Sequence, residues 1–235
     1  MFVLEDKNFV IGIVSDIHGN YPALRQVIQK LRMQGCTDIY CLGDTAGYYS
    51  MINECIDLLR RERIVSLKGN HDSYLLGDAF CPRSQSVNDC IDYQRQVITQ
   101  SNFEWLKGLS PVLTTKSFHA VHGGLNNPLD EYIVDFDFES PAVQQCAVKI
   151  FLSGHTHVQK MQERDDVIYC NPGSVGQPRD HDWRAAYAIL NQATITLHRT
   201  EYNVNETAEA MKNAGFSSYY YGNLFYGYKI GEHLA

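Results

Sequence analysis

The stretch "FVIGIVSDIHGNYPALRQVIQKLRMQG", residues 9–35, decides the fold class, because an apolar strand pattern passes directly into a helical one. Its first six residues form an apolar run, rich in valine and isoleucine, that is typical of a buried strand. Apolar residues then recur at helical spacing, and Asn20 can cap this helix while Gly35 can end it. The stretch therefore predicts a strand followed by an amphipathic helix, the first half of a βαβ unit.

The same alternation continues on the C-terminal side of this stretch. "DIYCL" predicts a second strand, the next segment predicts a helix that Ser50 could cap, and "IVSL" predicts a third strand. Such a βαβαβ unit implies parallel pairing of the strands and right-handed crossovers.

The second half of the chain is richer in short strands. Residues 85–107 have a helical pattern, "PVLTT", "FHAVHG" and "KIFLSG" predict strands, and "SPAVQQCAV" predicts a short helix. After residue 158 the period changes to two, which predicts hairpins that turn at Asp165-Asp166 and at Asn191-Gln192. We expect a single α/β domain with mixed sheets over residues 1–235, with a motif-bearing core at 9–200.

The C-terminal part, residues 201–235, is predicted to contain a helix from about Glu206 to Ala214 and an aromatic tail. The tail, "YYYGNLFYGYKI" at residues 219–230, follows neither the helical nor the strand period. It either lies over the body of the domain or forms a contact between copies in a homo-oligomer.

Composition excludes several classes of protein. Hydrophobic residues make up 44% of the chain, enough for a sizeable core, and the net charge is −7. Because the longest basic run is only "RRER" at 60–63, we expect no extended nucleic-acid surface. The seven cysteines lack CxxC spacing, which favours reduced thiols. "MFVLEDKNFV" does not resemble a signal peptide, and no apolar run has membrane-spanning length, so we expect a cytoplasmic protein.

Five apolar runs end in side chains that can bind a metal ion or phosphate. The runs are "VIGIVSDIHGN", "IYCLGD", "IVSLKGNHD", "FHAVHGG" and "IFLSGHTH", and the side chains are Asp16, His18, Asp44, Asn70, His71, Asp72, His122, His155 and His157. Five of the nine histidines of the chain occur in these endings. Because ligands bind at the carboxyl ends of the strands in α/β sheets, we expect the endings to converge on one site.

The residue types in these endings predict a metal centre. Carboxylate, imidazole and amide groups occur without thiolates, which favours manganese, iron, zinc or nickel over a structural zinc site. In Asp16-x-His18 and His155-x-His157, an extended chain would turn both residues of the pair to one side without distortion. Seven ligands are too many for one ion but suit two ions that share a carboxylate, which can hold a hydroxide in line with phosphorus. The seven are Asp16, His18, Asp44, Asn70, His122, His155 and His157.

In their order, the motifs DIH, GD, GNHD, VHGG and GHTH resemble those of calcineurin-like metallophosphoesterases. "GDTAGYYSMINECIDLLR" and "NPGSVGQPRD" also resemble segments of a branch of small stand-alone phosphoesterases from bacteria and archaea. The resemblance covers residues 9 to about 214. It implies a four-layer αββα sandwich of two mixed β-sheets flanked by helices, in agreement with the βαβαβ start and the later hairpins.

The resemblance also implies a role for each residue. The first metal ion is held by Asp16, His18 and His157, the second by Asn70, His122 and His155, and Asp44 bridges the two. His71 lies beside the phosphate and protonates the leaving alkoxide, while Asp72 either orients His71 or stabilises its loop.

The activity implied is hydrolysis of small phosphodiesters or phosphomonoesters, nucleotides among them, through attack of a metal-bridging hydroxide. Manganese is the expected metal, with iron, zinc and nickel as alternatives. Asn70 and His71 would also touch the substrate, and Asn171 and Arg179 either join them or brace the turn in which they lie.

The chain departs from the family pattern at the second motif. Protein Ser/Thr phosphatases of the superfamily carry GDxxDRG, whereas this chain has "GDTAGYY", with Gly47 in place of the second Asp and, as we expect, Tyr49 in place of the clamping Arg. A phosphoprotein substrate is therefore disfavoured. The branch has glycine where Tyr49 stands, so the phenol is expected to narrow or line the cleft. The alternatives are a protein phosphatase and a non-catalytic scaffold with this fold, like the retromer subunit that resembles the family.

Overall fold

The computed structural model describes residues 9–232. Residues 1–8, which bear on the predicted absence of a signal peptide, and residues 233–235, at the end of the predicted domain and tail, lie outside this range.

Strands and helices alternate in the first third of the described chain, and strands dominate after residue 110. The strands are β1 (Val10–Val14), β2 (Asp38–Cys41), β3 (Val65–Ser66), β4 (Val112–Thr114), β5 (His119–Val121), β6 (Ile150–Leu152), β7 (Gln159–Arg164), β8 (Val167–Pro172), β9 (Ala185–Asn191) and β10 (Thr194–Thr200). The helices are α1 (Tyr21–Met33), α2 (Ile52–Arg61), α3 (Asn70–Leu76), α4 (Gln85–Val97), α5 (Gln100–Lys107), α6 (Pro141–Gln144) and α7 (Val204–Asn213). None of the helices within residues 9–232 has both the length and the apolar character needed to cross a membrane.

The first sheet has the strand order β10-β9-β1-β2-β3. Its strands β1, β2 and β3 pair in parallel, with Ile13 opposite Tyr40 and Tyr40 opposite Val65. The predicted βαβαβ unit is therefore confirmed. The hairpin of β9 and β10 joins the sheet antiparallel to β1, so the sheet is mixed.

The second sheet has the order β4-β5-β6-β8-β7. Strands β5, β6 and β8 are parallel, and β4 and β7 pair antiparallel at the two edges. This sheet is mixed as well, and the predicted hairpin with its turn at Asp165-Asp166 forms β7 and β8.

The two sheets pack face to face over a shared apolar core. Ile13 and Leu42 from the first sheet meet Phe118 and Leu152 from the second, and all four are buried. Helices α1 and α2 cover the outer face of the first sheet, where a buried leucine or isoleucine contributes about 1.5–3 kcal/mol. Helix α6 and the segment around Phe136 cover the second. The predicted αββα sandwich is thus confirmed.

Element boundaries differ from the predictions in three places. The helical pattern of residues 85–107 is two helices, because Ile98 is extended and Thr99 caps α5 by accepting a hydrogen bond from the Asn102 N–H. Met51, not Ser50, precedes α2 at the capping position. Strand β9 continues through Asn191, so the turn of that hairpin begins one residue later than predicted.

The aromatic tail packs on its own chain. Two short 3-10 turns, Ser218–Tyr220 and Gly222–Phe225, follow α7 and bury Leu224 in the same core that α1 and α2 form. The Tyr220 hydroxyl donates a hydrogen bond of 2.6 Å to Asp89 in α4. The segment therefore lies over the body of the domain, and a contact of its exposed side with a second copy stays a prediction.

Candidate active site

The five strand endings converge on one region, and the potential ligands in them are all buried. Asp16 and His18 follow β1, Asp44 follows β2, and Asn70 and His71 begin α3 just after β3. From the second sheet, His122 follows β5, and His155 and His157 follow β6. Both sheets thus deliver ligands to the same edge of the sandwich.

The first cluster consists of Asp16, His18 and His157. Their ligand atoms all lie within 4.8 Å of one another. The Nε2 atoms of His18 and His157 are 3.0 Å apart, and Asp16 Oδ1 is 3.8 Å from the first and 3.4 Å from the second.

Hydrogen bonds fix the tautomer of both histidines in this cluster. His18 Nδ1 donates to the Ala46 carbonyl at 2.7 Å, and His157 Nδ1 donates to the Gln177 carbonyl at 2.6 Å. Because burial lowers the pKa of both rings well below the ordinary value, each ring carries one proton, and that proton is on Nδ1. Two unprotonated nitrogens consequently face each other, an arrangement that a cation bound to both lone pairs stabilises.

The second cluster consists of Asp44, His122 and His155, with Asn70 beside it. The three ionisable residues also keep their ligand atoms within 4.8 Å of one another. His122 Nε2 lies 3.0 Å from Asn70 Oδ1 and 3.3 Å from Asp44 Oδ2. Within the described chain, Asp44 Oδ2 and His155 Nε2 are buried and make no contact of hydrogen-bond geometry, although His122 Nε2 lies 3.3 Å from the first and Asp130 Oδ1 lies 3.1 Å from the second. Buried polar atoms left in this state point to a missing ligand.

Burial and charge set the protonation of the second cluster. Burial lowers the pKa of His155 to about 2, so this ring is neutral. For His122 burial opposes protonation, but the adjacent Asp44 carboxylate prevails and raises the pKa to about 9. Burial likewise opposes ionisation of Asp44, and the charges of His122 and His71 still hold its pKa below the ordinary value. A metal ion in this cluster would displace the extra proton of His122, as metal binding to imidazole generally does.

The donor set fits divalent metal ions. Imidazole, carboxylate and amide oxygen are present, and the lone pairs that face one another come from neutral rings, the form that binds metal. The structure also places His71 within the same distance of His18 and Asp44. His71 is therefore close enough to serve as either a ligand or a substrate-side group.

Backbone strain is concentrated at this site. Nine residues other than glycine have a positive φ within residues 9–232, and five of them are Asp16, His18, Asp44, His155 and His157. Left-handed backbone is costly for such residues and persists where the surroundings enforce it. The expectation that DxH and HxH pairs reach the centre from undistorted extended chain is therefore wrong. The paired side chains do converge, but through tight left-handed turns.

Two glycines make room for these ligands. A Cβ on Gly47 would lie 2.1 Å from His18 Nδ1, and Gly47 itself has a φ of 139°. A Cβ on Gly69 would lie 2.1 Å from Asp44 Oδ1. An aspartate at position 47, as in GDxxDRG, would not fit the position that His18 has here.

Asp72 braces the backbone and accepts no hydrogen bond from the His71 ring within the described residues. Its carboxylate accepts hydrogen bonds from the N–H groups of Asp44, Ala46 and Gly69, at 3.0, 2.8 and 2.8 Å. Of the two roles implied for Asp72, orientation of His71 is therefore wrong for this structure, because both carboxylate oxygens are used by the loop. His71 is instead fixed through its own N–H, which donates to Asp44 Oδ1 at 2.8 Å.

Asn171 and Arg179, the other substrate-side candidates, differ in position. Asn171 donates to the Gly154 carbonyl and to Thr156 Oγ1 and accepts from the Gly173 N–H, so it braces the GHTH turn. Arg179 lies beside the site, where its guanidinium donates to the Tyr48 hydroxyl at 2.7 Å.

Tyr49 does not line the cleft, contrary to the expectation from the motif. It is only 1% exposed, and its hydroxyl accepts hydrogen bonds from Gln177 and from Asn223 in the tail. The neighbouring Tyr48 lies at the site instead, with ring centroids 4.6 Å from His18 and 5.0 Å from His71. The expectation that Tyr49 replaces the arginine of GDxxDRG is therefore wrong, because by its spacing Tyr48 holds that position.

Sequence reasoning missed Arg83, Asp130 and Tyr132, which also border the site. The Tyr132 ring centroid is 4.0 Å from that of His155, and Asp130 Oδ1 is 3.1 Å from His155 Nε2. Arg83 donates to Asp130 and lies over the Tyr132 ring. These residues come from irregular segments without periodicity or motif, so no signal in a single sequence marks them.

Comparison with known proteins agrees with the motif order. A family model described as a calcineurin-like phosphoesterase superfamily domain matches residues 9–194. The uncharacterized protein MJ0912 of Methanocaldococcus jannaschii is 29% identical over 241 residues, covering 93% of this chain and 98% of that protein. Phosphodiesterase YfcE of Escherichia coli is 24% identical over 198 residues, covering 78% of this chain and 88% of YfcE.

A solved structure is similar over nearly the whole fold. The metallophosphoesterase from Sphaerobacter thermophilus superposes with a TM-score of 0.81 at 27% identity, covering 94% of this chain and all of that one. Since the family model spans more than half of the chain, the family is established. The chain belongs to the calcineurin-like phosphoesterase superfamily, and this membership supports its assignment as a metal-dependent phosphoric ester hydrolase.

Proposed function

We propose that this chain binds two divalent metal ions and hydrolyses small phosphodiesters or phosphomonoesters. The observation that carries the proposal is the pair of neutral imidazoles, His18 and His157, whose unprotonated Nε2 atoms lie 3.0 Å apart in a fully buried cluster. A second cluster with buried, unpartnered ligand atoms adjoins it. Two such clusters favour two ions over one.

Each cluster would hold one ion. Asp16, His18 and His157 would bind the first, and Asn70, His122 and His155 the second, with Asp44 shared. Asp44 suits this role because its Oδ2 lies 3.6 Å from His18 Nε2 and 3.3 Å from His122 Nε2. When bound, the two ions would activate water as a nucleophile at neutral pH and neutralise charge on the phosphate.

His71 would protonate the leaving oxygen. Burial lowers the pKa of its ring to about 4, so the ring is neutral in the free protein. A phosphate bound beside it would raise that pKa, because an opposite charge favours the protonated form. The buried Nδ1 has no hydrogen-bond partner among the described residues, so the ring can accept a proton without breaking a bond there.

We further propose manganese as the metal, with iron, zinc and nickel as alternatives, since the donor set contains no thiolate. The cytoplasm is the proposed compartment. All seven cysteines are unpaired, and six of them are buried. Unpaired thiols are typical of a reducing compartment.

The test is hydrolysis of bis-p-nitrophenyl phosphate by purified protein with added manganese. We expect turnover in the wild type and a fall in kcat of about 10²–10⁴-fold in His71→Ala, the usual contribution of a general acid. Metal content should stay near two ions per chain in the variant. His119→Ala is the matched control, because His119 bonds to Thr114 within the second sheet and lies outside both clusters.

Four results would contradict parts of the proposal. Loss of a metal ion in His71→Ala would make His71 a ligand. Equal rates of hydrolysis in the wild type and in His71→Ala would show that His71 takes no part in the reaction. Less than one ion per chain in the wild type would favour a non-catalytic scaffold, and faster hydrolysis of phosphopeptides than of nucleotides would favour a protein phosphatase.

A further inference from the structure

A groove of about 220 Å³ opens next to the candidate metal centre. We call it the cationic groove and define it by Tyr48, Arg83, Tyr132, Arg179 and Lys229, which line it together with smaller and apolar residues. Arg83 comes from the segment before α4, Arg179 from the turn after β8, and Lys229 from the tail. Three separate parts of the chain thus bring a positive charge to one place.

The groove adjoins the metal centre on two sides. Tyr48 forms one wall, and its ring packs against His18 and His71 at centroid distances of 4.6 and 5.0 Å. Tyr132 forms the opposite wall, and its ring centroid is 4.0 Å from that of His155. The groove therefore lies within one aromatic ring of the centre, close enough for a second group on a bound phosphoester to reach it.

The charge of the groove is opposite to that of the protein. The whole chain carries a net charge of −7, yet the residues that line the groove include three cations and neither aspartate nor glutamate. Such a local reversal of sign attracts anions through the field it creates. Core packing does not require three cations to share one groove.

The donors of the groove are only partly used. The Arg179 guanidinium bonds through Nε and Nη2 to the Gln177 side-chain oxygen and to the Tyr48 hydroxyl, and its Nη1 makes no hydrogen bond within residues 9–232. Within that range neither the Arg179 guanidinium nor the Lys229 ammonium forms an ion pair, and the Glu232 carboxylate near Lys229 accepts a hydrogen bond of 3.0 Å from the Lys229 backbone N–H. Arg83 pairs with Asp130, which holds its guanidinium over the Tyr132 ring.

We propose that the cationic groove binds a second phosphate group of the substrate, so that the preferred substrates are phosphoesters that carry at least two phosphates. This inference rests on the proposed function, because it takes the scissile phosphate to lie at the metal centre. Arg179 and Lys229 bind the second phosphate through charge-assisted hydrogen bonds, and Arg83 adds charge from the other side. The reaction remains hydrolysis of one P–O bond by water, and the groove contributes binding only.

Lys229 gives the tail a part in substrate selection. The tail packs on its own chain, and Ile230 beside Lys229 also lines the groove. Its position is fixed from inside by Asn223, whose side chain donates to the Tyr49 hydroxyl at 3.2 Å. The tail thereby carries one cation to the site from a segment outside the motif-bearing core.

The test compares kcat/KM for two matched substrates, the p-nitrophenyl esters of adenosine monophosphate and of adenosine diphosphate, with manganese in excess. We expect the wild type to prefer the diphosphate ester at least about tenfold, the usual effect of charged hydrogen bonds. The ratio of the two kcat/KM values should fall about tenfold in Lys229→Ala and be retained in Lys229→Arg. Lys149→Ala, which removes an exposed lysine paired with Asp166 elsewhere, should leave the ratio unchanged.

A second measurement is independent of turnover. Calorimetry of the metal-free protein should show tighter binding of adenosine diphosphate than of adenosine monophosphate, and Lys229→Ala should reduce this difference. A ratio near one in a wild type that hydrolyses both esters would overturn the inference and leave the proposed function intact. If neither ester nor bis-p-nitrophenyl phosphate is hydrolysed, the proposed function fails, and equal binding of the two nucleotides would then overturn the inference as well.

Discussion

At the scale of single residues, the left-handed turns of Asp16, His18, Asp44, His155 and His157 connect folding to the site. Each such residue costs of order 1–3 kcal/mol relative to a relaxed backbone. The strain persists because neighbouring groups enforce it. The His155 N–H, for example, donates a hydrogen bond of 3.1 Å to Asp16 Oδ2. Two strand endings from different sheets thereby hold each other in the strained form.

Gly47→Ala tests how tightly the first cluster is built. A Cβ at this position would lie 2.1 Å from His18 Nδ1, and alanine would adopt the φ of 139° only with strain. We expect the free energy of unfolding to fall by more than about 2 kcal/mol and the metal content to fall by about one ion per chain. Denaturant unfolding and elemental analysis measure the two effects.

Gly35→Ala is the matched control for this prediction. Gly35 also has a positive φ, of 82°, but nothing lies within 4 Å of the added Cβ. Gly35→Ala should lower the free energy of unfolding by only about 1–2 kcal/mol, through backbone strain, and the variant should keep its full metal content. Equal metal content in the two alanine variants would show that His18 tolerates the contact and would contradict the prediction.

At this scale the sequence predicts which residues meet but not how they do so. DxH, GNHD and GHTH mark residues that the structure brings together, because strand ends of parallel sheets share an edge. The left-handed turns could not be read from residue types, since aspartate and histidine adopt them only where long-range hydrogen bonds enforce them. The role of Asp72 was ambiguous for the same reason, as its partners Asp44 and Ala46 are far away in sequence.

At the scale of elements, Tyr49 links the second motif to the C-terminal tail. Its hydroxyl accepts from Gln177 at 3.0 Å and from Asn223 at 3.2 Å, and all three side chains are buried. Asn223 also donates to the Tyr228 carbonyl at 2.9 Å, which closes the tail on itself. The bulky phenol in place of the family glycine is therefore an anchor for the tail.

Tyr49→Phe should loosen this anchor. The variant keeps the ring but leaves the buried Gln177 amide without its acceptor, which costs about 1–3 kcal/mol. We expect lower stability and faster amide hydrogen exchange in residues 217–232, measured by mass spectrometry. Tyr21→Phe is the control, because the Tyr21 hydroxyl makes no hydrogen bond within residues 9–232. This substitution should change the free energy of unfolding by no more than about 0.5 kcal/mol. Unchanged exchange in the tail of Tyr49→Phe would show that the apolar contacts of Leu224 alone hold it.

Helices and strands with strong periodicity were predicted well, and the irregular segments were not. The pattern of α1 was readable because one face of the helix is apolar, and the hairpin of β7 and β8 was readable because the polar turn at Asp165-Asp166 divides it. Helix α3 was missed, since its first turn consists of the polar residues Asn70, His71 and Asp72, which show no apolar period. Arg83 and Tyr132 lie in connections where only tertiary contacts decide position.

At the scale of the whole molecule, the candidate metal centre lies where the two sheets meet. The first sheet supplies Asp16, His18, Asp44 and Asn70, and the second supplies His122, His155 and His157. The proposed first cluster already crosses the interface, because His18 and His157 come from different sheets. Ions bound there would connect the two halves of the sandwich in addition to the shared apolar core.

Removal of metal should therefore lower the stability of the entire fold. An ion that binds only the folded chain contributes about 2.7 kcal/mol when its free concentration is a hundred times its dissociation constant. For a chain of this size, such a loss lowers Tm by about 5–10 °C per ion. Without an ion, the facing Nε2 atoms of His18 and His157 repel each other across the interface.

Differential scanning calorimetry with and without a chelator measures this fall in Tm, and added manganese should restore the original Tm. His157→Ala should show a smaller shift than the wild type, whereas His119→Ala should show the full one. An unchanged Tm on chelation would mean that the sheets are held by the apolar core alone and that the clusters bind metal weakly or not at all.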